Sequence, residues 1–95
     1  MKLSAYSLRV PRHRLTDDDR SRGRALGELI RQARGARSAA EVARAADIPL
    51  DTLRRLEQGG TPTPGFFLMA QLVPELGTSL DDLASEVLRG NKEAT

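Results

Sequence analysis

The 95-residue sequence contains no cysteine and no tryptophan, one histidine (His13), and only three aromatic residues, Tyr6, Phe66 and Phe67. Without cysteine there is no disulfide framework and no thiolate metal site, and a reducing compartment is the default. One histidine in a basic segment is a poor basis for a metal centre, so neither metal nor cofactor is expected. No apolar run approaches the roughly 18 residues that a membrane span needs, and the N-terminus carries no signal-like apolar stretch. The expectation is a cytoplasmic protein without a membrane partner. β-Branched and aromatic residues are scarce, and the 39% apolar share is mostly leucine and alanine. That balance favours helices over strands. A chain this short supplies one compact core and not two.

Charge is distributed unevenly along the chain. The net value is +2, yet residues 1–37 carry +6, residues 38–60 carry −1 and residues 61–95 carry −3. A basic front and an acidic back suit an anionic partner on one side. Residues 1–20 read as a basic arm, with Arg9, Arg12 and Arg14 placed to meet a minor groove or phosphates. The alternation of Tyr6, Leu8 and Val10 is too short to predict an ordered strand over a flexible arm.

Punctuation divides the remainder into five helices. Thr16 followed by Asp17, Asp18 and Asp19 reads as an N-cap with an acidic first turn, and Gly23 moves the expected start of a well-formed helix to about residue 21. Leu26, Leu29, Ile30 and Ala33 make its apolar stripe, and Gly35 suits its end. Ser38 and Glu41 form a capping box for a second helix that reaches Ala46. Ile48 precedes Pro49 and is therefore pushed out of the α region, which breaks the chain there. A third helix covers 49–58 and stops at Gly59 and Gly60. Thr63 and Pro64 predict the start of a fourth, carrying Phe67, Leu68, Leu72 and Val73 inward, with Pro74 ending or bending it. Ser79 caps a fifth, whose apolar side is Leu80, Leu83, Val87 and Leu88. Residues 90–95 read as a disordered tail, which leaves 21–89 as the folded domain.

The second and third helices are joined too tightly for an ordinary loop. They must cross steeply, with small residues (Ala43, Ala46) where they meet and Val42, Ile48, Leu53 and Leu56 filling the wedge. Leu50, Asp51, Arg54, Arg55 and Gln58 are left on the outer face of the third helix. An exposed helix N-terminus with polar side chains is what enters a major groove.

The stretch EVARAADIPLDTLRRLEQG at 41–59 resembles the helix-turn-helix of the phage-repressor (Cro/repressor-like, XRE-type) family. The likeness extends from about Leu26 to Leu83. It implies a compact all-α, five-helix repressor-like domain and a sequence-specific regulator of transcription that binds double-stranded DNA, most simply as a homodimer on a two-fold site. Carried over residue by residue, the resemblance puts Leu50, Asp51 and Arg55 at base edges. It puts Thr52 at a phosphate and the backbone of Gly60 and Thr61 beside the same strand. Arg34 and Glu57 match a structural ion pair. Arg54 reads as a further phosphate contact, and Leu83, Val87 and Leu88 as a candidate dimer surface. Two departures stand out. Ala39 occupies the place of a glutamine that holds a phosphate, and Asp47 replaces the turn glycine. Asp51 either accepts from a cytosine amino group or pairs with Arg55 one turn later.

Two other readings remain open on these residues. One is an antitoxin-type protein that holds a small protein partner through the arm. The other is a protein-interaction helix-turn-helix that does not touch DNA. An enzyme is not expected, because no nucleophile–base set, glycine-rich phosphate cradle or metal-ligand spacing is present.

Overall fold

The computed structural model describes residues 15–94. Residues 1–14, with Arg9, Arg12, Arg14 and the Tyr6–Leu8–Val10 alternation, lie outside the described residues. Among the described residues five α-helices follow one another: α1 (Asp17–Arg34), α2 (Ala39–Ala46), α3 (Leu50–Glu57), α4 (Phe66–Leu72) and α5 (Leu80–Ala94). A 3-10 turn, Val73–Leu76, extends α4, and no strand occurs among the described residues.

Local chemistry sets the boundaries. At the start of α1 the Thr16 hydroxyl accepts from the Asp19 amide at 3.0 Å, while the Asp19 carboxylate accepts from the Thr16 amide at 3.0 Å. This reciprocal cap, with three aspartates in the first turn, starts the helix at Asp17 and not near residue 21. Gly23 does not interrupt it; that residue is buried against the loop after α3. Ser38 and Glu41 cap α2 in the same reciprocal way, at 3.0 and 2.9 Å. The Ser38 amide and hydroxyl hold the Glu41 carboxyl below its ordinary value of 4.5.

Pro74 cannot donate to an α-helical ladder, and at that point α4 tightens into the 3-10 turn that Gly77 ends in the left-handed region. The start of α4 departs from expectation. Thr61 and Thr63 each precede a proline, which disfavours the α region at both, and the N-cap is Gly65, not Thr63. From Phe66 onward Met69, Leu72, Val73 and Leu76 turn inward at helical spacing. Phe67 sits about 200° around the helix from Met69, at roughly 100° per residue, and so faces solvent at 78% exposure rather than joining the core. At the other end, α5 continues through 90–94, where a tail is expected from the sequence. One glycine costs a helix about 1 kcal/mol, and its neighbours Arg89, Lys92, Glu93 and Ala94 are good helix formers.

The core is a single cluster. Ile30 of α1, Val42 of α2, Leu53 and Leu56 of α3, and Leu72 and Val73 are its largest fully buried side chains. Each such side chain contributes on the order of 2 kcal/mol through burial. Helix α1 runs across the domain, resting on α5 along one side and on α3 along the other. Leu83 lies in this core at 6% exposure, and Val87 packs against it. Leu83 and Val87 of the apolar side of α5 are thus spent within the monomer, while Leu80 and Leu88 stay exposed. Of the three residues expected at a dimer surface only Leu88, 54% exposed, remains open.

Candidate functional site

Helices α2 and α3 are linked by three residues, Asp47, Ile48 and Pro49. The Asp47 amide donates to the Arg44 carbonyl at 3.2 Å and the Ile48 amide to the Ala43 carbonyl at 3.0 Å. That pair of bonds is a Schellman motif, and it needs its first outside residue in the left-handed region. Asp47 takes that conformation, φ 59° and ψ 47°, where glycine would be unstrained. Ile48 folds back into the core beside Ala43, and Pro49 is the N-cap of α3. From α4, the Gln71 side-chain amide donates to the Ala46 and Asp47 carbonyls at 3.2 and 3.1 Å, so the turn is also held from behind.

The far end of α3 repeats the motif. The Gly59 amide donates to the Leu56 carbonyl at 3.0 Å and the Gly60 amide to the Arg55 carbonyl at 2.9 Å, with Gly59 at φ 80°. The Gly60 amide is therefore committed within the protein and is not free to hold a phosphate. Among the described residues the next amide, that of Thr61, makes no such bond.

Helix α1 fixes the position of α3. The Arg34 guanidinium donates to both oxygens of the Glu57 carboxylate, at 2.7 and 2.8 Å, and to the Arg37 carbonyl at 2.8 Å. The Arg34 and Glu57 side chains are 19% and 8% exposed. A paired donor fork of this kind is strong and geometrically specific, and Glu57 shifts the Arg34 pKa upward. Arg37 in turn donates to the Glu75 carbonyl at 2.5 Å, tying the link between α1 and α2 to the 3-10 turn. Gly23 and Gly27, one turn apart on α1, let that helix lie directly on the end of α3. Nothing in the sequence pattern marks a role for Gly27, since a lone glycine within a helical pattern looks only like a weak helix former.

The outward face of α3 carries Asp51, Arg54, Arg55 and Gln58, all exposed, with Leu50 and Thr52 half-buried beside them. Leu50 leans on the core, and so it offers less outward surface than the sequence suggests. Among the described residues no ion pair joins Asp51 to Arg55. The distribution of unpaired charge is uneven across the domain. Arg20, Arg22, Arg31 and Arg34 on α1 are each paired with an acid, and Arg89 on α5 is paired with Glu86. Arg24, Arg37, Arg44, Arg54 and Arg55 form no ion pair among the described residues, and of these Arg24, Arg54 and Arg55 border α3 or the loop that leaves it. Ala39, half-buried at the start of α2, adds no polar group to this face.

Among the described residues no three acidic or histidine side chains cluster to hold a metal, and no helix is long and apolar enough to cross a membrane.

A protein-family model described as a helix-turn-helix domain matches residues 25–86. Curated proteins give no match to the chain.

Proposed function

The chain belongs to the helix-turn-helix domain family, and from that membership we propose that it binds duplex DNA as a transcriptional regulator, with α3 in the major groove. The observation that carries this reading is the outward face of α3. Arg54 and Arg55 are exposed and unpaired on a short helix that α1 holds through Arg34 and Gly27, while Gln71 holds the turn before it. A preorganised helix with free guanidinium groups suits the acceptors of guanine and the phosphates on either side of the groove.

In this reading Leu50, Asp51 and Arg55 meet base edges, and Asp51, unpaired, accepts from a cytosine amino group. Thr52 and Arg54 hold phosphates, and the loop reaches the same strand through the Thr61 amide in place of Gly60. The finer kinship is with the Cro/repressor-like, XRE-type branch of the family. A homodimer on a two-fold operator fits so small a reading surface, because two half-sites multiply affinity and specificity. With Leu83 in the core, α5 leaves Leu88, with Leu80 exposed at the start of the same helix, for such a contact.

A second reading rests on Phe66 and Phe67. Their rings meet edge to face, with centroids 5.3 Å apart, and they are 66% and 78% exposed. An open aromatic pair of this kind favours a protein contact in addition to DNA.

Selection of bound duplexes from a random pool tests the main reading. Enrichment of a roughly palindromic site supports it. Weak, salt-sensitive retention of every sequence alike, with no enrichment, would overturn sequence-specific regulation and leave the partner-binding reading.

A further inference from the structure

We propose that Arg24 of α1 holds a DNA backbone phosphate beside the Gly59–Gly60 pair, an anchoring contact supplied from outside the two helices of the motif. This inference rests on the DNA-binding reading above and names one of its contacts.

Three observations converge on Arg24. The first is proximity. A Cβ placed on Gly59 would stand 3.1 Å from both Cα and Cγ of Arg24, and one placed on Gly60 would stand 3.1 Å from Cγ of Arg55. The stems of the two arginines thus flank two adjacent glycines, Arg24 from α1 and Arg55 from α3. Neither glycine has a side chain that would keep a ligand away from the backbone.

The second is charge. Every neighbouring arginine on α1 has an acidic partner: Arg20 with Asp17, Arg22 with Asp19, Arg31 with Glu28 and Arg34 with Glu57. Arg24 has none among the described residues, and its side chain is exposed. The third is the backbone beyond the glycines. The Gly59 and Gly60 amides are used within the protein, and among the described residues the Thr61 amide is not. An anion lying across the glycine pair would meet a guanidinium on the α1 side and an amide on the loop side.

The ligand chemistry follows from the position. Gly60 lies against the stem of Arg55, which stands on the exposed face of α3; a duplex seated on that face would bring its sugar-phosphate strand past the glycine pair, and a phosphodiester oxygen is the acceptor it offers there. A phosphate contact carries no sequence information. Arg24 therefore sets how tightly the domain holds any duplex and in what register, and Arg55 sets which duplex it prefers.

The test uses the full chain and two duplexes of about 20 base pairs, one carrying a selected site and one scrambled, with affinities measured between about 50 and 200 mM salt. Arg24→Gln is expected to weaken both duplexes by the same factor. It should lower the slope of log affinity against log salt by about 0.9, which makes the loss of affinity across that salt range about threefold smaller than for the parent. Arg24→Lys should restore the slope. Arg31→Gln makes the same change in net charge at an arginine already paired with Glu28, and should behave as the parent. Circular dichroism checks that each variant is folded. An unchanged slope in Arg24→Gln, or an equal loss in Arg31→Gln, overturns the contact while leaving DNA binding standing. A parent chain that binds neither duplex at low salt overturns both.

Discussion

Gly27 of α1 lies so close to the end of α3 that a Cβ on it would stand 2.7 Å from the Glu57 carbonyl oxygen. Two turns along the same helix, Arg34 grips the Glu57 side chain. One residue of α3 is thus held from α1 twice, through its backbone by the absence of a side chain and through its carboxylate by a guanidinium. The tilt of the outward face of α3 follows from these two contacts.

Gly27→Ala should therefore destabilise the domain by about 2 kcal/mol. Overpacking against backbone costs on the order of 1–3 kcal/mol, and the better helix propensity of alanine offsets only part of that. Gly90→Ala, with open space around it, should go the other way, by about 0.5–1 kcal/mol. Urea unfolding of both variants checks the pair. If both changes stabilised equally, the close approach of α1 and α3 would be wrong.

Arg34→Ala leaves the Glu57 carboxylate largely buried without its partner and should cost about 2–3 kcal/mol. Arg34→Lys should recover less than half of that, because an ammonium cannot reproduce the two-pronged bond. Thermal melts of the three proteins give the ranking directly. Full recovery by lysine would mean that charge, and not geometry, holds α3 in place.

At the turn, stability should follow the tolerance of position 47 for a left-handed backbone. Asp47→Gly is expected to be neutral or stabilising by up to about 0.5 kcal/mol, since relief of strain is partly cancelled by the freer unfolded chain. Asp47→Val should lose at least about 1 kcal/mol, because a β-branched residue resists positive φ most strongly. Equal midpoints for Asp47 and valine would contradict the Schellman geometry between α2 and α3.

The Ser38–Glu41 box gives a pH dependence of known sign. The folded protein lowers the Glu41 pKa, so the cap contributes fully above the ordinary glutamate range and is lost as pH falls through the lowered value. Glu41→Gln keeps a capping side chain but removes the titration. Its stability should fall less than that of the parent between about pH 5 and 3. A parent and variant with parallel acid limbs would show that Glu41 does not hold this cap.

Most of the architecture can be read from punctuation. The Ser38 box, the break at Ile48 and Pro49, the Gly59–Gly60 stop and the bend at Pro74 are local signals whose chemistry acts within a few residues, and the structure shows them where the sequence puts them. The wedge residues Val42, Ala43, Ala46, Ile48, Leu53 and Leu56 are all buried as spacing requires. What the sequence hides depends on distant neighbours. Gly23 and Gly27 look like helix weaknesses until the end of α3 is seen against them. Phe67 looks like core until Met69 and Leu72 are seen to set the inward face of α4 on the opposite side, and Leu83 looks like a dimer contact until α1 is seen covering α5. Of the candidate site, the outward face of α3 follows from subtracting buried positions. The commitment of the Gly60 amide and the place of Arg24 do not, because both depend on how the loop after α3 folds against α1.

The central claim is that α3 reads bases, and it is tested most directly by a position-by-position affinity scan. The parent and Arg55→Ala would each be measured against a selected duplex and all of its single-base-pair variants. The account predicts that the parent loses about 1–3 kcal/mol at each read position, and that Arg55→Ala becomes indifferent to one base pair per half-site while keeping its preferences elsewhere. A uniform loss in Arg55→Ala, with every base preference intact, would contradict the account and make that face of α3 a backbone contact only.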